Sequence, residues 1–294
     1  MSLLVTEWTP SVAAAVEQIA SDCQTADGVN PLDEAAQLRL RHHGLSGSRL
    51  WLHEHGFALL HEGEAVIAVS YWKRGEGIGS LLAAEAVEGG ARSAWSHADH
   101  IAARKIAERL GFERSRELWV MRWPLTPFAE PAPAAPDGVT VRSFRPGDEA
   151  ELLRVNAAAF AAHPEQGAMD AANLAERMAE PWFSPEGLFL AVEEAGADGA
   201  QDGAQDGAQR VLGFHWTKVH SATTGEVYVV GIDPSAQGRG IGKLLTRVGL
   251  DHLASVVSDE VILYVESDNL AARAVYEGLG FTHASYDTHV HYTK

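Results

Sequence analysis

The sequence predicts an α/β chain made of two tandem copies of one mixed-sheet unit. Three observations carry that prediction. "AARKIAERLGF" (Ala102–Phe112) and "AARAVYEGLGF" (Ala271–Phe281) are the same helix end written twice, 169 residues apart. A glycine-rich turn follows a strand pattern and opens a helix in each half, as "RGEGIG" and again as "QGRGIGK". The chain has 294 residues, enough for two domains of roughly 130–150 residues.

In the first half, "MSLLVTEWTPSVAAAVEQIA" reads as an amphipathic first helix. It has no basic flank and no long apolar run, so it is not expected to be a signal peptide. No stretch approaches the roughly 20 apolar residues of a membrane span. "FALLHEGEAVIAVSY" reads as strands, "KRGEGIGSLLAAEAVEGG" as a loop entering a helix, and "RSAWSHAD" as holding a strand. "HIAARKIAERLGF" is a helix and "ELWVMRWPL" a strand. The half is short between Leu50 and Gly77, as expected if part of a hairpin were absent. "EPAPAAPDG" (Glu130–Gly138) has three prolines in nine residues and reads as a semi-rigid linker. The expected division is therefore a first domain over 1–126, a Pro/Ala linker over 127–138 and a second domain over 139–294.

In the second half, "GVTVRSF" is a strand and "DEAELLRVNAAAFAAH" a helix with apolar residues three and four apart. "GLFLAVEE", "RVLGFHWTKVH" and "GEVYVVGID" are strands, the last ended by Pro234. "GADGAQDGAQDGAQ" (Gly196–Gln209) repeats DGAQ, cannot bury a core and reads as a surface loop. "GKLLTRVGLDHLASVV" is a helix, "VILYVES" a strand, "NLAARAVYEGLG" a helix stopped near Gly280, and "THVHY" a closing strand. Strand and helix patterns mixed in this way imply an α/β fold around a central mixed sheet.

Composition narrows the function. The net charge is −17, which argues against a nucleic-acid phosphate backbone as partner. A small anionic ligand stays open, because a few aimed backbone N–H groups can bind one locally. Cys23 is the one cysteine, so no intrachain disulfide forms, which fits a reducing cytoplasm. Its setting, "SDCQT", is polar and lacks a nucleophile's strand–turn–helix surroundings, so an incidental cysteine is expected. His163 and His215 flank the motifs most closely among the 14 histidines, but no H-x-x-x-H with a carboxylate argues for a metal, and none is expected.

The chemistry points to the second glycine turn. "QGRGIGK" (Gln237–Lys243) lies between a strand and a helix. Gly240 and Gly242 let the backbone approach a ligand, and N–H groups at the helix start form an anion cradle. Arg239 and Lys243 add positive charge, and a pyrophosphate suits the site. The turn is neither a dinucleotide fingerprint nor a Walker loop. Two further residues have chemistry to offer. Glu226 opens the strand that ends at this loop and can accept a proton from an ammonium; a solvated strand-end carboxylate is the plain alternative. Tyr276 is a phenol with a proton to give at neutral pH; a core aromatic on an amphipathic helix is its alternative.

Gln237-x-x-Gly240-x-Gly242, the strand before it and "NLAARAVYEGLGF" together resemble the GCN5-related N-acetyltransferase (GNAT) family. "AAFAAHPEQG", "GFHWTKVHS", "GEVYVVGIDP", "GRGIGKLLT" and "LYVESDN", with "ADGVNPLDE" early in the chain, resemble more closely that family's mycothiol-forming branch. The resemblance is strong after Gly138 and patchy before it. It implies tandem acyl-CoA N-acyltransferase domains that acetylate the cysteinyl amine of cysteinyl-glucosaminyl-inositol with acetyl-CoA. It assigns Glu226 as base and Tyr276 as the acid for the departing thiolate. It places CoA against Val230, Gly231 and Ile232, then along Gln237, Gly238, Arg239, Gly240, Ile241, Gly242 and Lys243. Asn269, Leu270, Ala271, Ala272, Arg273 and Ala274 lie on the CoA side as well. Substrate contacts are implied at Glu34, Glu165, Lys218, Glu226 and Tyr264. Lys218 is the most telling, since a lysine within an apolar strand needs a partner or a ligand. A monomer in the cytoplasm, with a small-molecule substrate and neither nucleic acid nor membrane as partner, is the expected setting.

The first copy keeps the loop spacing but puts Glu76 where the second has Arg239, which is unfavourable beside a pyrophosphate. Tyr276 becomes Ala107, and Glu226 falls near Gly63 between Glu62 and Glu64. This copy is expected to be catalytically silent. A second CoA along Ile67, Ala68, Val69, Arg74, Gly75, Glu76, Gly77, Ile78 and Gly79 is an open possibility. Two rivals stand beside the main expectation: an acetyltransferase for another small amine or a protein N-terminus, and a non-catalytic acetyl-CoA sensor.

Overall fold

The computed structural model describes residues 2–128, 130–161, 166–193 and 209–294. In chain order the first repeat holds β1 (Leu3–Val5), α1 (Pro10–Asp27), α2 (Glu34–His43), β2 (Ser48–His53), β3 (Gly56–His61), β4 (Glu64–Val69), α3 (Ile78–Glu88), β5 (Ser93–Ser96), α4 (Ile101–Leu110) and β6 (Glu113–Trp123). The second holds β7 (Val139–Ser143), α5 (Glu149–Ala159), α6 (Ala171–Met178), β8 (Leu188–Glu193), β9 (Val211–Val219), β10 (Thr224–Ile232), α7 (Ile241–Val256), β11 (Glu260–Glu266), α8 (Leu270–Gly278) and β12 (Thr282–Thr293). The expected mixed α/β architecture is present. No described helix is long and apolar enough to cross a membrane.

Local chemistry sets the element ends. The Thr9 hydroxyl accepts from the Val12 N–H, and Pro10 opens α1 where its missing N–H costs nothing. The first residues before this cap are a short strand, β1, and the helix begins only at Pro10. Between Leu50 and Gly77 no hairpin is missing. β2, β3 and β4 are antiparallel strands of six residues each, joined by tight turns. Glu62 and Gly63 both have positive φ, 49° and 88°, which is the primed turn that matches strand twist. The longer β9 and β10, nine residues each, and the connection after β8 account for the greater length of the second copy.

The chain forms two compact units, each assembled from more than one segment. The first comprises 1–120, 265–273 and 283–294; the second comprises 121–264 and 274–282. In the first, the strand order is β1-β2-β3-β4-β5-β12-β6, with β6 contributing up to Val120. β12 runs antiparallel to β5, with Val290 opposite Ser96 and Tyr292 opposite Ala94. One face of this sheet buries Leu50, Phe57 and Leu59 against Val16, Ile19 and Leu40. The other buries Trp51, Ala58 and Leu60 against Ile78 and Leu82 of α3. Each large apolar side chain removed from water contributes roughly 1.5–3 kcal/mol.

In the second unit the order is β11-β10-β9-β8-β7. β10 is antiparallel to β9 and parallel to β11. Leu188, Leu190, Phe214, Trp216 and Val229 face Leu152, Val155 and Leu174 of α5 and α6. Ala191, Leu212 and Ile232 face Ile241 and Leu245 of α7 on the opposite side. The β10–β9 register slips by one residue between Val227 and Val229, so Tyr228 is a bulge. Pairing of β10 with β11 covers Thr224–Val227 and Glu260–Leu263 and stops at that bulge. Beyond it Val229–Ile232 pair with β9 on one side, leaving the other edge of β10 with backbone groups to offer.

Candidate active site

Alternation and register place three of the expected substrate residues on one face of the second sheet. Glu226 of β10 opposes Lys218 of β9 and lies beside Ile262 of β11. Tyr264 is two residues beyond Ile262 and shares its face; it is exposed. Glu226 is 5% exposed, and Nε2 of His220 donates to its Oε2 at 2.5 Å. The Lys218 ammonium lies over the rings of Trp182, at 4.6 Å, and Tyr228, at 5.2 Å. The Arg177 guanidinium lies 5.7 Å from the same Tyr228 ring and donates to its hydroxyl. The lysine expected to need a partner thus has an aromatic cradle.

The loop after β10 has the geometry of an anion cradle. Asp233 starts it, accepting at Oδ1 from the Ser235 N–H at 2.9 Å and at Oδ2 from Arg154 at 2.6 Å. Burial alone would raise this carboxyl, but the Ser235 and Arg154 hydrogen bonds outweigh it and hold the group at about 2. Gly238 and Gly240 have φ of 77° and 80°, where an L side chain is strained. No atom lies within 4 Å of where a Cβ would stand at either glycine, so the loop surface is open. Gly240 caps α7 and no side chain caps the first turn, which leaves its N–H groups for a ligand. Gln237, Arg239 and Lys243 are exposed around it.

At the end of the chain, Asn269 is the cap of α8, its Oδ1 accepting from Ala272 N–H at 3.1 Å. Arg273 of that helix stacks on Trp119, 3.9 Å from the ring centre, and donates to the Ser267 carbonyl. The helix closes with the Phe281 N–H on the Tyr276 carbonyl and the Gly280 N–H on that of Glu277, both at 3.0 Å. Tyr276 stacks edge-on against Phe281, and burial pushes its phenol up to about 12.

The first copy repeats the scaffold without counterparts of Glu226 and Tyr276. Gly75 and Gly77 have φ of 86° and 88°, and Gly77 caps α3 as Gly240 caps α7. The same closing bonds end α4: Phe112 N–H on Ala107 O at 2.9 Å and Gly111 N–H on Glu108 O at 3.2 Å. Ala107 is buried against Phe112, Val290 and Tyr292. The position matching Glu226 falls in the Glu62–Gly63 turn. The loop's charges are paired internally. Arg74 donates to both oxygens of Asp27, at 2.8 and 2.6 Å, and Lys73 pairs with Glu76 at 3.2 Å. This unit nonetheless holds a cavity of about 560 Å³ lined by Val66–Val69, by Arg74, Gly75, Gly77 and Gly79 of the loop, and by one side of α4. Cys23 borders it, buried, its thiol directed to the Val69 carbonyl at 3.4 Å and pushed up by burial.

Some expected residues stand elsewhere. Glu34 is the first residue of α2 in the first unit, whereas Glu226 belongs to the second. Glu165 and His163 lie outside the described residues, as does most of the DGAQ segment. His215 is a core residue: Nδ1 bonds the Leu245 carbonyl at 2.8 Å, and burial pushes the imidazole down to about 4. His220, Trp182 and Arg177 were not anticipated. For His220 the signal was present, since it follows Lys218 by two residues and falls on the same side by alternation.

Comparison with known proteins follows the same division. The sequence profile of the Acetyltransferase (GNAT) family matches residues 166–281. A mycothiol acetyltransferase from Nocardioides sp. is 54% identical over 96% of this chain and 97% of its own length. One from Nocardia farcinica is 44% identical over 98% of this chain and 97% of its own. Among solved structures, a GCN5-related N-acetyltransferase from Sphaerobacter thermophilus superposes with a TM-score of 0.66, covering 100% of this chain and 95% of that one at 22% identity. A tandem GNAT protein from the clavulanic acid pathway also scores 0.66, covering 100% and 98% at 16% identity. These distant structures share the fold, including its tandem repetition.

Proposed function

The chain belongs to the mycothiol acetyltransferase family, and from that premise we propose how its residues carry out the transfer. The enzyme is an acetyl-CoA-dependent N-acetyltransferase of mycothiol biosynthesis. Its acceptor in this reading is the cysteinyl amine of cysteinyl-glucosaminyl-inositol. The observation that carries the reading is Glu226: a buried carboxylate on the same sheet face as Lys218 and Tyr264, at the start of the strand that ends in the glycine turn.

The substrate amine arrives protonated and must lose a proton before it can attack. Glu226 takes that proton. The amine nitrogen then forms the new C–N bond as the thioester C–S bond breaks; the nitrogen's second proton replaces the one that Tyr276 passes to sulfur, and backbone N–H groups of Val230–Ile232 stabilise charge developing on the carbonyl oxygen. The unpaired edge of β10 suits the pantetheine arm. The open helix start at Gln237–Lys243 suits the pyrophosphate, with Arg239 and Lys243 adding charge. Asn269–Ala274 lie toward the CoA side. Lys218, Tyr264, Glu34 and Glu165 hold the pseudodisaccharide.

Tyr276 serves the leaving thiolate. A phenol at about 12 stays protonated at neutral pH. Complete proton transfer to a thiolate of ordinary basicity, near 8.5, is uphill by about 5 kcal/mol. Its contribution is therefore a hydrogen bond that strengthens as charge gathers on sulfur, the proton passing only as the bond breaks. The first copy is silent, having Ala107 in place of the phenol and a turn in place of the acid. Its cavity suits a second CoA at Ile67–Val69 and Arg74–Gly79, although the Arg74–Asp27 pair competes with a phosphate there. The two repeats are read as 1–126 and 139–294, joined by 127–138, in a monomer of the cytoplasm; a single cysteine supports that compartment.

The test is the mass of the product after incubation with acetyl-CoA and cysteinyl-glucosaminyl-inositol. A dye that reports released thiol would react with the substrate's own thiol. One acetyl group on the amine is the expected result. No product, with acetyl-CoA still bound, would move the assignment to another amine or to a sensor.

A further inference from the structure

Glu226 is nearly closed to solvent, so its carboxylate oxygens need hydrogen-bond partners from the protein. His220 supplies a donor, Nε2 to Oε2 at 2.5 Å. The β9–β10 turn fixes the backbone that carries the imidazole. The backbone N–H of His220 donates to the Thr224 carbonyl at 3.0 Å, and the Ser221 hydroxyl oxygen accepts from the N–H groups of Thr223 and Thr224, both at 3.1 Å. The His220 side chain is 36% exposed and that of Glu226 only 7%, so the imidazole stands between a buried carboxylate and solvent.

The neighbouring elements complete the electrostatic setting. Across β9, Lys218 opposes Glu226, its ammonium over Trp182 and Tyr228. β11 places Ile262 beside Glu226; Glu260, two residues earlier, is paired with Arg122 at 2.7 Å. Arg177 of α6 is tied to the Tyr228 hydroxyl. Of these groups, His220 is the one that donates to Glu226 and also faces solvent.

We propose that His220 is a positioning residue for the acetyl transfer, holding the Glu226 carboxylate aimed through the Nε2–Oε2 hydrogen bond so that Oε1 takes the amine's proton. The proposal rests on Glu226 being the proton acceptor. Losing the donor leaves a buried carboxylate oxygen without its hydrogen bond and frees the side chain to turn away from the amine.

The experiment compares His220→Ala, His220→Gln, Glu226→Gln and the double variant His220→Ala/Glu226→Gln in full-length enzyme. Acetyl-CoA affinity and thermal unfolding are followed alongside. His220→Ala lowers kcat about 10-fold or more, while acetyl-CoA affinity and thermal unfolding hold. His220→Gln keeps an N–H donor and recovers most of kcat. In the Glu226→Gln background, His220→Ala adds less than about two-fold, because its partner is already gone. A full loss added in that background, or no recovery in His220→Gln, overturns the proposal. If Glu226→Gln loses activity while His220→Ala does not, the His220 proposal alone fails. If Glu226→Gln keeps the wild-type rate, the assignment of Glu226 as base fails, and the role of His220 with it.

Discussion

Two residues of the second unit make the sharpest predictions. Tyr276 has its phenol pushed up to about 12, so at neutral pH it donates and is never phenolate. Tyr276→Phe keeps the ring against Phe281 and removes only the hydroxyl. Turnover should fall about 10-fold or more, with acetyl-CoA binding and stability unchanged, as single-turnover kinetics and calorimetry would show. Asp233 makes a different prediction. Its folded carboxyl is held at about 2, below the usual 3.8. The stabilisation is fully present above pH 3.8 and is lost as pH falls through about 2. Asp233→Asn should cost about 2 kcal/mol at pH 7. Urea unfolding should show that gap shrinking below pH 4 and closing near pH 2. An equal gap at both ends of that range would mean the substitution acts through packing instead.

At the scale of elements, α7 against β9 is a tight fit. A Cβ on Gly249 would stand 2.1 Å from the His215 ring, so Gly249→Ala must displace a buried imidazole bonded to Leu245. That overpacking should cost about 1–3 kcal/mol in thermal or urea unfolding. This fit shows what the sequence could and could not yield. The glycine turns were legible because positive φ at a helix start demands Gly, and both copies have it. The shared ending of α4 and α8 was legible for the same reason, through Gly111 and Gly280. His215 looked like a motif histidine because sequence carries no measure of burial. His220 was overlooked because its meaning lies in a cross-strand partner, and the register of one strand on the next is not written in either strand alone. The apparent gap before Gly77 was a misreading of length: the strands there are shorter and their turns tighter, with none missing.

At the scale of the molecule, the fold is present twice and the groups suited to the chemistry once. The pairing of β12 with β5 joins the last strand of the chain to one near residue 95, a contact that periodicity could not reveal. The repetition itself was plain, because both copies retain the strand–glycine turn–helix order. What separates them is the filling: Glu226 and Tyr276 in one, a turn and Ala107 in the other. The first unit has a cavity of about 560 Å³ and yet has Ala107 at the position of Tyr276, so room for a ligand does not by itself bring the second copy's side chains with it. The most direct test uses two matched substitutions. Gly240→Ala and Gly77→Ala impose the same strain, at φ of 80° and 88° with open space around each, and differ only in the copy they alter. Each should cost about 1–2 kcal/mol of stability. In kcat/KM, Gly240→Ala should lose about 10-fold or more as the phosphate cradle is distorted, while Gly77→Ala should stay within about two-fold of wild type. Equal losses from both, or a larger loss from Gly77→Ala, would contradict the claim that only the second copy carries the reaction.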